Sequence, residues 1–409
     1  MSKLTELLDE ISSGEVVRAR FSDVCDYVRG VTYKKDQEVT SCTLGGIKLL
    51  RANNITVGSN TLNFDDVKCV SPEVKVSERQ KLSAGDILIC AGSGSREHVG
   101  KVAFIEEGMP YTFGGFMAVI RTSDDLRSRY FYHVLSSGLF KSYLQTALTS
   151  TTINNLSARI MANFTFPLPP LKVQQEIVQM LDAFTDLEQS LVSELELRTT
   201  QMSEYIDDIF ENLDAESTTL GSVGKFTRGS SLQKKDFVDS GIPCMHYGQV
   251  FTQYGLSTKN TVAFVTTQFA AGKRTMKPGD LFVATTSEND EDLGKAVAWL
   301  GHEEVVVGTD AYIYSHDLDP KFVSYFFASS SFQLQKRRFI TGTKVRRISD
   351  KAMSTFEIKV PAREVQQDIV TQLDAFEALI QSIEQEISLR RKQYEFYRDE
   401  LLRFTPRET

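Results

Sequence analysis

The sequence predicts an α+β protein made by tandem duplication: two mixed domains, each followed by a long helix, with the two helices pairing as an antiparallel coiled coil. Three observations carry this prediction. The string VQQEIVQMLDAF at 173–184 returns as VQQDIVTQLDAF at 365–376, with nine of twelve positions identical at an offset of 192. Each copy opens a segment whose apolar residues step alternately by four and three, the period of a coiled coil. The chain has 409 residues, more than one compact core serves, so two or three domains are expected.

The repeat extends beyond the helices. Leu-Ser-Ala-Gly-Asp at 82–86 matches Met-Lys-Pro-Gly-Asp at 276–280, and Gly100-Lys101 matches Gly294-Lys295. Val-Arg-Gly at 28–30 with Lys34-Lys35-Asp36 matches Thr-Arg-Gly at 227–229 with Lys234-Lys235-Asp236. Thr149, Thr151, Ile153, Leu156 and Ser157 match Thr341, Thr343, Val345, Ile348 and Ser349. The expected organisation is an N-terminal helical segment at 1–15, a first mixed domain at 16–166, a first spacer helix at 167–214, a second mixed domain at 217–357 and a second spacer helix at 358–409.

Within the mixed domains, the short apolar runs Asp86–Cys90, Phe116–Ile120, Asp280–Ala284 and Ala311–Tyr314 read as strands bounded by Gly-rich turns. Arg129–Gln145 and Lys321–Arg338 read as helices. Pro167, Pro169 and Pro170 precede the first long helix and Pro361 the second. The first seam runs through Ile177, Leu181, Phe184, Leu191, Leu195, Met202, Tyr205 and Ile209. The second runs through Ile369, Leu373, Phe376, Ile380, Ile383, Ile387, Tyr394, Tyr397 and Leu401. Only Glu188, Arg198 and Arg390 interrupt these seams, which over about 40 residues would reach roughly 60 Å. Two matching seams of that length bury best against each other, and a domain between them makes the antiparallel pairing natural. Leu4–Ile11 is also helix-like and precedes the first domain as Tyr205–Leu213 precedes the second, a circular plan in which the N-terminus completes the second helix.

Composition excludes several classes. With 41% hydrophobic and 24% charged residues the chain is neither disordered nor collagen-like. No run approaches the roughly 18 apolar residues of a membrane span, and a soluble, cytoplasmic protein is expected. Cys25, Cys42, Cys69, Cys90 and Cys244 form an odd set without a CxxC pair, so no disulfide framework is expected. The histidines show no zinc spacing, and Cys244 and His246 read as packing residues on alternate faces of a strand. No GxxxxGK[ST] loop or GxSxG elbow occurs, and Glu97 breaks the nearest GxGxxG. The Asp/Asn-Pro-Pro-aromatic turn of an amino-methyltransferase is missing too, since Leu168-Pro-Pro-Leu171 lacks both ends. No reaction centre, metal or cofactor is expected on this chain.

The net charge of −8 argues against a nucleic-acid binder, but its distribution argues otherwise. The segments 1–15, 167–216 and 358–409 carry −3, −10 and −2, while 16–166 carries +4 and 217–357 carries +3. Lys336-Arg337-Arg338 and Lys344-Val-Arg346-Arg347 bracket a Thr-Gly-Thr turn, a density that suits a phosphate surface or a solvated helix end.

Two variable domains, each followed by a near-identical helix with V-Q-x-x-I-V and L-D-A-F, resemble the specificity (S) subunit of type I restriction-modification systems. The resemblance covers nearly the whole chain. It implies that each mixed domain is a target-recognition domain reading half of a bipartite site in double-stranded DNA. The paired helices are then a spacer that docks two modification (methyltransferase) subunits. Those partners would bind S-adenosylmethionine, and two ATP-dependent restriction subunits would join them. The S subunit itself would be non-catalytic. The rival readings are the specificity subunit of a two-protein type II system with a fused methylase-nuclease partner, and a coiled-coil scaffold that binds proteins only.

Position in the repeat and donor chemistry nominate DNA contacts. Arg29, Lys34, Lys35, Arg228, Lys234 and Lys235 suit phosphates, with Lys101, Lys295 and Arg347 beside them. Base readers are sought where the copies diverge: Arg51, Asn53 and Asn54 against His246, Tyr247 and Gln249; Ser95, Arg96 and His98 against Ser287, Glu288 and Asn289; Thr151, Thr152 and Asn154 against Thr343, Lys344 and Arg346.

Overall fold

The computed structural model describes residues 15–406, apart from 44, 57, 59 and 149–154. The chain divides into two compact units, Met1–Leu191 with Glu386–Thr409, and Val192–Gln385. Each unit therefore holds one mixed domain, the N-terminal half of one long helix and the C-terminal half of the other.

In the first unit, Cys25–Arg29, Met117–Thr122, Ile87–Cys90 and Val102–Phe104 form an antiparallel sheet in that order. Its two central strands are apolar over Met117–Ile120 and Ile87–Cys90, where both faces are covered. Ile87 and Ile89 point to a layer of helices, while Leu88 and Cys90 point to a smaller sheet of Lys68–Val70, Ile47–Leu50 and Thr112–Phe113. The second unit repeats the scheme with Gly224–Arg228, Ala311–His316, Leu281–Ala284, Ala296–Trp299 and Ser257–Thr258. Leu281 and Val283 face its helices; Phe282 and Ala284 face Ala263–Val265, Ile242–Met245, Val305–Val307 and Thr275–Met276.

The expected single helical patches are each two helices, Ser128–Ser136 with Gly138–Leu148 and Pro320–Ala328 with Ser330–Arg337. Ser137 and Ser329 are extended, and their hydroxyls donate to the carbonyls of Val134 (2.6 Å) and Phe326 (2.7 Å), which ends the first helix of each pair. A second correction concerns the cysteines: Cys42 and Cys69 form a disulfide, their Cα atoms 5.5 Å apart. Cys69 sits opposite Lys48 in the small sheet, a proximity that the 27-residue separation hides. Cys244 lies buried on its strand, but that strand ends at Met245 and His246 caps the following turn.

The long helices span Leu171–Asn212 and Arg363–Leu401. Along the seams Ile177, Leu181, Met202, Ile369, Leu373, Ile383, Ile387 and Leu401 are buried. Phe184, Leu191, Leu195, Tyr205, Ile209, Phe376, Ile380, Tyr394 and Tyr397 are half-buried. In the first unit Phe184 stacks on Tyr397 at 5.5 Å and Glu188 pairs with Arg391 at 2.5 Å, an antiparallel progression. In the second, Tyr205 packs on Phe376 at 5.5 Å. The polar interruptions are satisfied: Arg198 bonds Glu194 and Gln201 on its own helix, and Arg390 bonds Glu386 and Gln393.

The repeated motif holds each domain to its helix through buried polar side chains. Gln174 accepts from the Arg127 amide and donates to the Pro169 and Asp125 carbonyls; Gln366 accepts from Asp319 N and donates to the Pro361 carbonyl. Arg127 and Asp319 are the N-cap residues of equivalent helices. The aspartate of L-D-A-F binds the next turn. Asp182 accepts from His133 Nε2 (2.9 Å) and Arg129 (2.8 Å), and Asp374 accepts from the Tyr325 hydroxyl (2.8 Å) and pairs with Lys321. The far end of the other helix completes the arrangement, with Asp399 capping Gly138 N and Asp207 capping Ser330 N and Oγ. All these pairs stand 192 residues apart, so the duplication is a duplication of anchoring contacts. Glu15–Val16 pairs in parallel with Thr405–Pro406, and Leu401 and Leu402 complete the first domain's core, in keeping with a circular plan. The helical segment expected at 1–15 otherwise lies outside the described residues.

Burial holds the His133 imidazole below its usual range despite Asp182, so Nε2–H donates to Asp182 while Nδ1 accepts from the Tyr394 hydroxyl. The unfolded chain takes up a proton near pH 6.5 and the folded chain does not, so stability falls as pH drops below about 6.5, at most about 1.4 kcal/mol per pH unit. The thermal midpoint of the wild type is expected to fall more steeply between pH 7 and 5 than that of His133→Gln; parallel slopes would show that His133 is not held neutral.

Candidate nucleic-acid interface

In the first domain, residues far apart in sequence line one cleft of about 1240 Å³: Lys35, Arg51, Asn53, His98 and Lys101, with Tyr33 and Phe116. Lys35 opens the turn Lys35–Gln37, fixed by the Lys34 amide donating to Gln37 Oε1 at 2.8 Å. Arg51 enters the turn Ala52–Asn54 and lays its guanidinium on Asp66 at 2.6 Å, where the Asn53 amide also donates. Lys34, Lys35, Asn53 and Ser95 are exposed, and His98 is half-buried with its Nδ1 lacking a hydrogen-bond partner. Phe116, 73% exposed at this cleft, was not signalled by charge or repeat; its setting in Gly-Gly-Phe-Met is the trace it leaves in the sequence.

Three expected contacts in this domain serve the fold instead. Asn54 is fully buried, its amide donating to the Asn63 and Asp66 carbonyls and its Oδ1 accepting from Arg51 N. Lys101 donates to the Ala52 and Ile55 carbonyls at 2.8 and 2.7 Å, and burial lowers its pKa. Arg29 donates to the Gly115 and Leu156 carbonyls. Each is bonded to backbone carbonyls of its own domain, so these donors are committed before a ligand arrives. Thr151, Thr152, Asn154 and the side chain of Arg96 lie outside the described residues.

The second domain gathers two of its three predicted sets. The strand pair Thr286–Ser287 with Arg346–Arg347 brings the loop after Ser287 beside the turn at 341–345. Thr343, Lys344 and Arg347 are exposed, while Arg346 is tied to Asp290 (2.8 Å) and to the Gly342 carbonyl. Ser287 is buried and accepts from Asn289 N; Asn289, though exposed, exchanges hydrogen bonds with Asp292. Lys234 and Lys235 are exposed on a turn capped by Asp236, the counterpart of Lys34 and Lys35. Exposed Arg228 donates to the Thr309 carbonyl. His246 Nδ1 accepts from Gly248 N, Gln249 Oε1 accepts from His246 N, and Tyr247 is half-buried beside them. Burial holds the His246 imidazole below its ordinary range, against the nearby Asp310, which keeps it an acceptor. Lys295 is half-buried, its pKa lowered by burial. Lys336, read in sequence as part of an exposed basic cluster, is 1% exposed and belongs to the core.

No cluster of metal-ligating side chains occurs among the described residues, and no helix among them is long and apolar enough to cross a membrane. What the geometry offers is a set of exposed donors on rigid turns, on two copies of one framework.

Comparison with known proteins decides the family. The model of the Type I restriction modification DNA specificity domain matches twice, at residues 14–197 and 212–389. The chain belongs to this family. The EcoKI specificity subunit of Escherichia coli K12 is 35% identical over 167 residues, 41% of this chain and 35% of that one. The EcoR124I/EcoR124II specificity subunit of Escherichia coli is 30% identical over 264 residues, 59% of this chain and 62% of that one. The matched part thus spans from about a third to under two thirds of these relatives' length. A chain from a solved type I R-M system shares the fold, with a TM-score of 0.63 over 96% of this chain and 98% of that one at 14% identity.

For a DNA specificity domain, the exposed Lys344 and the committed Arg346 should behave differently. Lys344→Ala is expected to weaken DNA binding by the assembled complex equally on all sequences and to lower its salt slope by about one. Titrations across salt on cognate and unrelated duplexes check this; an unchanged slope removes Lys344 from the phosphate surface.

Proposed function

We propose that this chain is the non-catalytic DNA sequence-specificity subunit of a cytoplasmic type I restriction-modification complex. Each mixed domain reads one half of a bipartite double-stranded site, and the paired helices set the spacing and dock two modification subunits. One observation carries the reading: the two domains share their anchoring contacts and an exposed lysine pair, Lys34–Lys35 and Lys234–Lys235, position by position, and differ in loops such as 90–100 and 284–294. A single half-site discriminates poorly, since each base pair is worth about 1–3 kcal/mol. Two half-sites on one spacer add those contributions and measure the gap between them. Unlike loops on a common framework suit two unlike half-sites.

The helices supply a reason to expect two identical partners. Leu187 and Leu379 stand 192 residues apart and are 41% and 42% exposed; Leu197 and Leu389 are also 192 apart, at 60% and 59%. These leucines lie one residue before seam positions, and burial against a partner would remove their apolar surface from water. The partner methyltransferase would bring S-adenosylmethionine, and two ATP-dependent restriction subunits would add cleavage.

Two experiments test this reading. Mapping methylated bases in cells expressing the chain with its methyltransferase is expected to show one bipartite motif that is absent without the chain; a methylome lacking any new motif rejects the reading. Leu197→Glu with Leu389→Glu is expected to abolish copurification of the methyltransferase while leaving helix content unchanged. Full retention of the partner would place its docking surface elsewhere.

A further inference from the structure

The loops Cys90–Gly100 and Ala284–Gly294 are equal in length and anchored alike. Cys90 N donates to the Lys101 carbonyl and Gly100 N to the Cys90 carbonyl; Ala284 N donates to the Lys295 carbonyl and Gly294 N to the Ala284 carbonyl. Both closing glycines are left-handed, with φ of +87° and +80°. Beneath Gly100 lie Phe140 and Leu144; beneath Gly294 lie Phe332 and Lys336, the residues 192 positions on. The aliphatic stem of Lys336 therefore packs where the first domain uses a leucine, and packing alone does not require its charge.

That charge is spent on the loop. The Lys336 ammonium donates to the carbonyls of Glu291 (3.0 Å) and Leu293 (2.6 Å). Burial pushes its pKa down to about 8, against the pull of Glu291, Asp290 and Asp292, with Arg337 adding to the fall. The two loops differ in the same sense as their supports. The first carries Arg96, Glu97 and His98 over a leucine; the second carries Glu288, Asp290, Glu291 and Asp292 over a buried lysine. Internal bonds from Ser287 and Asn289, and the Arg346–Asp290 pair, fix the rest of the acidic loop and leave Glu288 and Glu291 exposed beside the Lys344 turn.

We infer that Lys336 is a positioning residue for base readout by the second domain, holding the loop 286–293 so that its exposed carboxylates accept from exocyclic amino groups such as cytosine N4. Carboxylates suit that donor, and a fixed backbone is what gives a short hydrogen bond its selectivity. The inference rests on the proposed function and adds to it a device that the first domain lacks.

Lys336→Leu copies the first domain's own solution, and replacing a buried charge by an apolar residue of similar volume is often neutral or stabilising. The complex of full-length variant and methyltransferase is expected to keep its thermal midpoint and its first half-site. Discrimination at one or more positions of the second half-site should fall roughly tenfold, about the weight of one base contact. Methylome sequencing with unfolding curves reads both. Glu288→Gln with Glu291→Gln, at exposed positions, should relax the same half-site and serves even where the lysine variant folds poorly. A wild-type motif unchanged in these variants overturns this inference alone. A wild-type complex without a bipartite motif overturns the proposed function and this inference with it.

Discussion

The structure depends on a small set of polar side chains on the long helices, of which Gln174 and Gln366 are buried. Gln174, Asp182 and Asp399 in one unit, and Gln366, Asp374 and Asp207 in the other, satisfy helix N-termini and tyrosine, histidine or basic partners that the domains bury. An unsatisfied buried donor costs about 1–3 kcal/mol, so these few residues constrain the helix sequence more tightly than its apolar seam does. Leucine, methionine, tyrosine and phenylalanine all serve along the seam, whereas each capping residue must be one chemical type at one place. The most faithfully repeated string in the chain, 173–184 with 365–376, is the stretch where the anchors Gln174, Asp182, Gln366 and Asp374 and the seam residues coincide.

Because each long helix anchors one domain by its first half and the other by its last, the framework tolerates divergence elsewhere. The loops 90–100 and 284–294 have the same length and closing geometry but unlike charge, since Arg96 and Glu97 cancel in the first while the second carries four carboxylates. The first domain exposes Phe116 at a cleft, whereas the second ties Arg346 to Asp290. Anchoring is thus separated from surface: the anchors are shared, and the exposed loops are free to differ.

Much of the architecture was legible before the structure. The repeat signalled two copies of one framework, and the seam signalled the two long helices. What was hidden depends on three-dimensional neighbours. Arg29, Lys101 and Asn54 look like free donors in sequence, but carbonyls of Gly115, Ala52 and Asn63 engage them. Lys336 was averaged into a basic run with Arg337 and Arg338, although consecutive helical residues point about 100° apart and Lys336 turns inward. The helix breaks at Ser137 and Ser329 interrupt no apolar pattern, and the Cys42–Cys69 bridge spans a separation without any spacing signature.

The parallel pairing of Glu15–Val16 with Thr405–Pro406 has a topological meaning. It sets Glu15–Val16 beside Thr405–Pro406 within the first unit, so the path between these two strands begins and ends at one place. Where a path returns to its start in this way, the point at which it is opened is a matter of gene order rather than of anchoring contacts. A permuted chain that joins Pro406 to Glu15 by a short linker and opens between Asn212 and Ser217 would retain every anchoring contact described above. The order in which the two recognition domains are translated then carries no structural information.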